Sequence, residues 1–556
     1  TPGRLITSGN HGSVNGPPVS PRPPPNILLR PRLPAPESRY LEDVVLSNPF
    51  NDNADDDNRV VLSRPRENAQ ITVNGYIKFS TKRAREPVLL PRQARDDSDP
   101  QTLVVRLFST PNFNWEKELQ DDDRNLFVFC DVLDKSNCWI ENVPRMAATE
   151  SGVRHAILAL SATYVLDYQP KKSIRRAALE HYKKAVIILD LALREARVNT
   201  PSEAEADALV SVITLLNMID VVSPEQRRPR HLLPRWLEGA RLACRVLDAT
   251  DPGHRYWLPE NIQPTSTQLG NMIIASRAAI LALPMKPLDV EDTNNGKFSW
   301  LLQGTARDAH TIHGGCGMSP LLLNRFSQIT QVSASYRDDP YNTEFWVNRW
   351  AENMVPELEA LHQWLPPGSL TESPSADPQA DVPGDTPTLS ALLRSRDLNK
   401  EDFQKAREYM STLTAEVWRL AAIIYLQCRL MRLPRSHPDV VTNLSKLAGH
   451  IRRMPTSGHL FTAQAPFFPV FLLGIVAVEK EHSQCAMDWF HAVIRTSCRS
   501  SVPPAFEALE RIRAWMATDL GETSCGALSQ RIADRQAWWE TLVDHIVATE
   551  GVLCLI

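Results

Sequence analysis

Ile312-His313-Gly314-Gly315-Cys316-Gly317-Met318-Ser319-Pro320 separates two helical patterns. Upstream lies Trp300-Leu301-Leu302-Gln303-Gly304-Thr305 and a short polar helical stretch; downstream lies the run Leu321-Leu322-Leu323. Two readings of this break compete, one chemical and one architectural. As chemistry it offers an imidazole, a thiol and clustered backbone N–H groups. As architecture, Gly314, Gly315 and Gly317 form a structural corner between helices, because glycine tolerates positive φ and close backbone approach.

The chemical reading lacks parts. His310, His313 and Cys316 stand at i, i+3 and i+6, but no fourth ligand follows at a metal-binding spacing. His313-Gly314-Gly315 is similar to the oxyanion loop of lipases, yet that fold needs a Gly-x-Ser-x-Gly elbow and the chain contains none. A Cys316 nucleophile requires a partner base, and none is readable. Gly296-Lys297 is no phosphate loop, since Glu291 stands at the upstream glycine position and Phe298 at the hydroxyl position. No catalytic residue, resident metal or bound cofactor is therefore expected.

The bulk properties agree with a regulator or scaffold. A chain of 556 residues with 43% hydrophobic content can bury a sizeable core, as one large helical body or two to four average domains. The net charge of −4 argues against a broad nucleic-acid footprint on the folded part, leaving DNA contact to a small module or a basic arm. The nine cysteines include no C-x2-C pair, the nearest neighbours being Cys130/Cys138 and Cys485/Cys498, as in an intracellular protein with reduced thiols. The polar, proline-rich start has no signal-peptide pattern. The longest apolar run, Ala465 to Val478, is shorter than the ~20 residues of a spanning helix and contains Pro466 and Pro469, so no membrane partner is expected. Cys554 lies one place off a prenylation box. The first residue is Thr, which leaves room for a preceding segment.

Along the chain, residues 1–100 read as a disordered arm rich in Pro, Arg and Asp, apart from short strand-like alternation near Ile71–Phe79. Lys82, Arg83 and Arg85 in this arm are the nuclear-import candidate. Asp121-Asp122-Asp123 suits a solvated helix start. Residues 101–365 and 391–550 read as two parts of one helical body, separated by a Pro/Ser/Asp-rich loop at 366–390. Ser202 and Glu205 have capping-box spacing ahead of Leu209, Ile213, Leu216 and Ile219. Ala178, Tyr182, Ala185, Leu189 and Ala192 form one apolar stripe, and Trp236, Gly239, Ala240, Ala243 and Leu247 another, with Pro234 at a first helical position. Val417, Leu420, Ala421, Ile424, Cys428 and Met431 make a third. Further stripes run through Met487, Phe490 and Ile494 and through Phe506, Leu509, Ile512 and Met516. Thirteen tryptophans, among them Trp236, Trp418 and Trp515, fall mainly in these patterns and suit core packing. The fold class is all-α.

Four landmarks then follow one another in a recognisable order. Gly152-x-x-x-Ala156-Ile157-Leu158-Ala159-Leu160-Ser161-Ala162 precedes Ala178…His181-Tyr182-x-x-Ala185; next come Trp236-x-x-Gly239-Ala240, the His313-Gly314 turn with Ser319-Pro320-x-Leu322, and Phe467-Phe468-Pro469-Val470-Phe471-Leu472-Leu473-Gly474 with Trp489-Phe490 and Trp515. Over residues 105 to 520 the chain resembles the regulatory domain of fungal-specific transcription factors. The resemblance implies a large irregular multi-helix regulatory domain in a nuclear transcriptional regulator, with DNA and the transcription machinery as partners, and room for a homodimer and a small hydrophobic effector. No position matches a ligand-contact motif, so the ligand-binding residues stay unassigned. The family's zinc cluster needs six cysteines with two C-x2-C pairs, which the nine here do not supply. Zinc is expected only if a cysteine cluster precedes Thr1. A helical scaffold or adaptor is the alternative, and a hydrolase using His313 and Cys316 a more distant one.

Overall fold

Apolar residues recurring every three or four positions close fifteen α-helices among the described residues. The computed structural model describes residues 70–73, 77–80 and most of 139–556. Within that last span, 140–141, 169–171, 199–200, 223–232, 251–264, 290–297, 303, 368, 370–392, 394–398, 458–459, 463–464, 495–499, 521–528 and 530 lie outside the description. So do Lys82, Arg83, Arg85, Asp121 to Asp123 and nearly all of the loop at 366–390. The described piece of the arm is a two-stranded sheet: β1 (Gln70–Val73) and β2 (Ile77–Ser80) pair antiparallel, with Gln70 opposite Ser80 and Val73 opposite Ile77.

The first helices are α1 (Val143–Thr149), α2 (Ser151–Tyr168), α3 (Lys172–Val198), α4 (Glu203–Val222) and α5 (Arg235–Thr250). In α3, Ala178, Tyr182, Ala185 and Leu189 are buried on the face packed against α2, and Ala192 is partly buried. α4 opens with the expected reciprocal cap: the Glu205 N–H donates to Ser202 Oγ at 3.3 Å and the Ser202 N–H donates to Glu205 Oε2 at 2.7 Å. Pro234 stands one residue ahead of α5, where its carbonyl accepts from the Leu237 and Glu238 N–H groups. It therefore precedes the first helical position it was expected to fill. Ala240 and Ala243, both fully buried, let α5 approach α4 and α6 (Ser266–Leu281) closely.

α6 is buried on nearly every side and packs on α5, α4 and α8, joining the first helices to the rest. With its 3-10 extension, Leu283–Met285, it is long and apolar enough to cross a membrane, but 83% of that window is buried inside the protein, as in a core helix. α7 (Ala306–His310), α8 (Pro320–Asp338), α9 (Pro340–Glu359) and α10 (Lys400–Tyr425) follow. A π turn at Leu426–Leu430 continues α10. α11 (Pro438–Arg453), α12 (Phe467–Val476), α13 (Lys480–Val493), α14 (Val502–Trp515) and α15 (Trp538–Thr549) complete the body. All ten residues of α12 are buried. A Cβ on Gly474 would stand 2.8 Å from Leu509 Cδ2, so the glycine permits the close approach of α12 to α14. An aromatic cluster of Phe326, Trp418, Tyr425 and Phe468 ties α8, α10 and α12, with the Trp418 and Phe468 rings stacked at 5.8 Å.

Candidate functional site

The glycine break is a built corner between α7 and α8. Thr305 and Asp308 cap α7 reciprocally, at 3.2 Å for Asp308 N–H to Thr305 Oγ1 and 2.8 Å for Thr305 N–H to Asp308 Oδ2. The chain then pairs with the strand-like segment after α9. The Trp364 N–H donates to His310 O at 2.9 Å and the Ile312 N–H to Trp364 O at 2.7 Å. The turn closes when the Gly317 N–H donates to His313 O (2.8 Å) and the His313 N–H to Met318 O (3.1 Å). Ser319 starts α8, its Oγ accepting from the Leu322 N–H, while its own N–H donates to Gln363 Oε1 at 2.8 Å. Gln363 Nε2 in turn donates to Ala415 O of α10 at 2.9 Å.

Of the three glycines only Gly317 has a positive φ, +74°. A Cβ there would meet Thr414 Cγ2 at 2.5 Å and Trp418 Nε1 at 3.4 Å. Both demands, dihedral and space, fall on one position; Gly314 and Gly315 lie outside the positive-φ region.

The arrangement limits what His313 and Cys316 can do. Cys316 is 2% exposed and His313 is buried in the same turn. The N–H groups of His313, Cys316, Gly317 and Ser319 are already engaged within the protein, so they do not form a free oxyanion-stabilising pair. His310, on α7, places its Nδ1 2.9 Å from His362 O. Among the described residues no three His, Cys, Asp or Glu side chains converge on a metal-sized point. The described cysteines Cys244, Cys316, Cys428, Cys485 and Cys554 lie on separate elements, four buried and Cys554 partly so. They do not fit a zinc cluster, and no metal chemistry is assigned to them.

Two buried arginines escape the sequence pattern. The Arg277 guanidinium of α6 lies 5.9 Å above the Trp418 ring, close enough to Cys316 and Cys554 to interact electrostatically. Burial lowers its pKa, and the two thiols oppose that shift. Arg429, on the π turn, donates to the carbonyls of Leu283 (2.8 Å), Pro284 (3.3 Å) and Lys286 (3.0 Å), to Tyr425 Oη (3.0 Å) and to both Glu540 oxygens (2.8 and 3.1 Å). Burial alone would lower its pKa, but the Tyr425 phenol and Glu540 carboxylate reverse the sign and raise it. The one signal for it in the sequence is a lone Arg inside the apolar run from Ala421 to Leu430. A third buried arginine, Arg235, pairs with Asp220 at 2.7 Å and ties the start of α5 to the end of α4.

The landmarks singled out by their order along the chain thus share one core, except Trp236, which packs in a smaller cluster with Leu237 and Ala282. α2, α3, α5, the corner at Gly317 and α12 all contribute to it. No curated protein and no solved structure is significantly similar to the chain. A family described as "Fungal specific transcription factor domain" matches residues 125–250 and 284–548, which include most of the helical body and the whole corner. With well over half of its length matched, the chain belongs to the fungal specific transcription factor domain family.

Proposed function

We propose that this chain is the regulatory body of a nuclear transcriptional regulator. Effectors or partners act on the helical domain, and sequence-specific DNA contact is made by a zinc-cluster module that these 556 residues do not contain. Membership of the transcription factor family over residues 125–250 and 284–548 is the observation that carries the reading. The engaged N–H groups and buried thiol of the corner support it, because they suit Gly317 to scaffold geometry rather than to turnover. A scaffold unrelated to transcription would share the helices but not the family match.

The test is to tether the full chain to an unrelated DNA-binding domain upstream of a reporter gene in fungal cells. Reporter output is then compared with that of the DNA-binding domain alone. A reproducible rise or fall, with the fusion accumulating in the nucleus, is expected. Unchanged transcription from a stable, nuclear fusion would overturn the reading. Sequencing the reading frame upstream of Thr1 checks the second part, where six cysteines including two C-x2-C pairs are expected.

A further inference from the structure

α3 is 27 residues long and has two opposed faces. Its inner face buries Ala178, Tyr182, Ala185 and Leu189. On its outer face Lys172, Arg176, Lys183 and Lys184 are exposed, as is Glu180. At helical spacing beside them, Ile187 is 56% and Leu191 61% exposed. At 100° per residue these positions all fall on one side of the helix. The result is a basic strip about 18 Å long from Lys172 to Lys184, at 1.5 Å per residue, ending in an uncovered aliphatic pair. Isolated exposed aliphatics are ordinary, but an i, i+4 pair continuous with a cationic strip has the composition of a docking face.

The sequence contains a segment of complementary chemistry. Between Tyr40 and Asp57 stand Glu42, Asp43, Asp52, Asp55, Asp56 and Asp57, with no Lys or Arg among them. The same stretch supplies apolar groups in Tyr40, Leu41, Val44, Val45, Leu46 and Phe50. Residues 370–392 are also acidic, but their four carboxylates are interspersed with Pro374, Pro378, Pro383 and Pro387 and have few large apolar neighbours. Residues 58–138 connect the 40–57 segment to the helical body, and at up to ~3.3 Å per extended residue they can reach α3.

We propose that the outer face of α3 is a docking site for the chain's own segment 40–57. The carboxylates face Lys172, Arg176, Lys183 and Lys184, and the segment's apolar residues cover Ile187 and Leu191. Because the two are covalently joined, docking is independent of protein concentration, and an external acidic partner has to compete with it. Charge and exposure alone favour this docking, whether or not the chain regulates transcription.

The test uses the full chain throughout. In one variant Asp52→Asn, Asp55→Asn, Asp56→Asn and Asp57→Asn together weaken the internal segment and free the face. The probe is a fluorescent peptide of residues 40–58. It should bind this variant about tenfold or more tightly than the parent chain, and the affinity should fall with added salt. Adding Lys183→Glu and Lys184→Glu should abolish binding, and Ile187→Ser with Leu191→Ser should weaken it. All four residues are exposed, so an unchanged melting curve checks that the fold survives. Equal binding to parent and variant would overturn the proposal, since the face would then take acidic peptides but not its own. Absence of binding to the variant, or binding of a 370–392 peptide in its place, would overturn it too. So would a parent dimer in sedimentation that dissociates in the variant, which would place the segment on a second copy.

Discussion

Gly317 approaches Thr414 so closely that a Cβ on the glycine would stand 2.5 Å from Thr414 Cγ2, at a backbone φ of +74°. Any L-residue there meets both dihedral strain and overlap with α10. Gly317→Val should destabilise the protein by about 2–5 kcal/mol, combining the left-handed penalty with overpacking. Gly314→Ala, at a position outside the positive-φ region, should cost less. Denaturant midpoints of the two variants check this, and equal losses would remove Gly317 from its special place.

Arg429 and Glu540 meet from positions more than a hundred residues apart. Removing the carboxylate would leave a buried guanidinium with only carbonyl and phenol acceptors. Glu540→Ala should therefore cost about 3 kcal/mol or more, whereas Glu540→Gln, which keeps an acceptor oxygen, should lose less. Urea titration of both variants decides, with similar losses counting against a charge-assisted contact.

The same two sites show what a sequence reading can reach. The stripe of Ala178, Tyr182, Ala185 and Leu189 was legible because one buried face imposes one period on the side chains. The Ser202/Glu205 cap was legible because its partners are three residues apart. α6 left a fainter trace: it is buried almost all round, with Asn271, Ser276 and Arg277 inside, so its residues show little contrast between faces. At the corner the glycines marked a break, but which of them takes positive φ depends on Thr414, about a hundred positions later. The partners of Arg429 come from Leu283 to Lys286 and from Glu540, and no local spacing encodes such a meeting.

The imidazoles of His155 on α2 and His181 on α3 share one hydrogen bond, with Nδ1 atoms 2.9 Å apart. Burial, then His155 and Lys184, hold the His181 pKa down at about 4, against the pull of Glu180. Burial, Lys184 and Arg154 lower that of His155 as well. In the unfolded chain both titrate near 6.5. Between that value and about 4 the unfolded state binds more protons, so stability is full above pH 6.5 and falls as the pH drops towards 4. For His181 the loss should be about 1–2 kcal/mol once the ring's partial exposure is allowed for. His181→Gln should flatten this part of the pH–stability curve; an unaltered slope would assign the acid sensitivity to other groups.

With a net charge of −4 and no C-x2-C pair, the chain alone should bind duplex DNA weakly and without sequence preference. Residual contact should come from Lys82, Arg83 and Arg85 neutralising phosphates. Such binding falls by roughly 0.9 logarithmic units per decade of salt for each phosphate neutralised, so three contacts give a slope of about −2.7. Replacing all three residues by Ala should remove most of it. Adding a zinc-cluster module upstream should bring sequence discrimination, because a recognition helix would then reach base edges in the major groove. Gel-shift titrations with specific and scrambled duplexes at two salt concentrations distinguish the cases. If tight, sequence-selective binding survives the triple Ala substitution, the helical body itself reads DNA, and the proposed division between regulatory body and DNA-binding module fails.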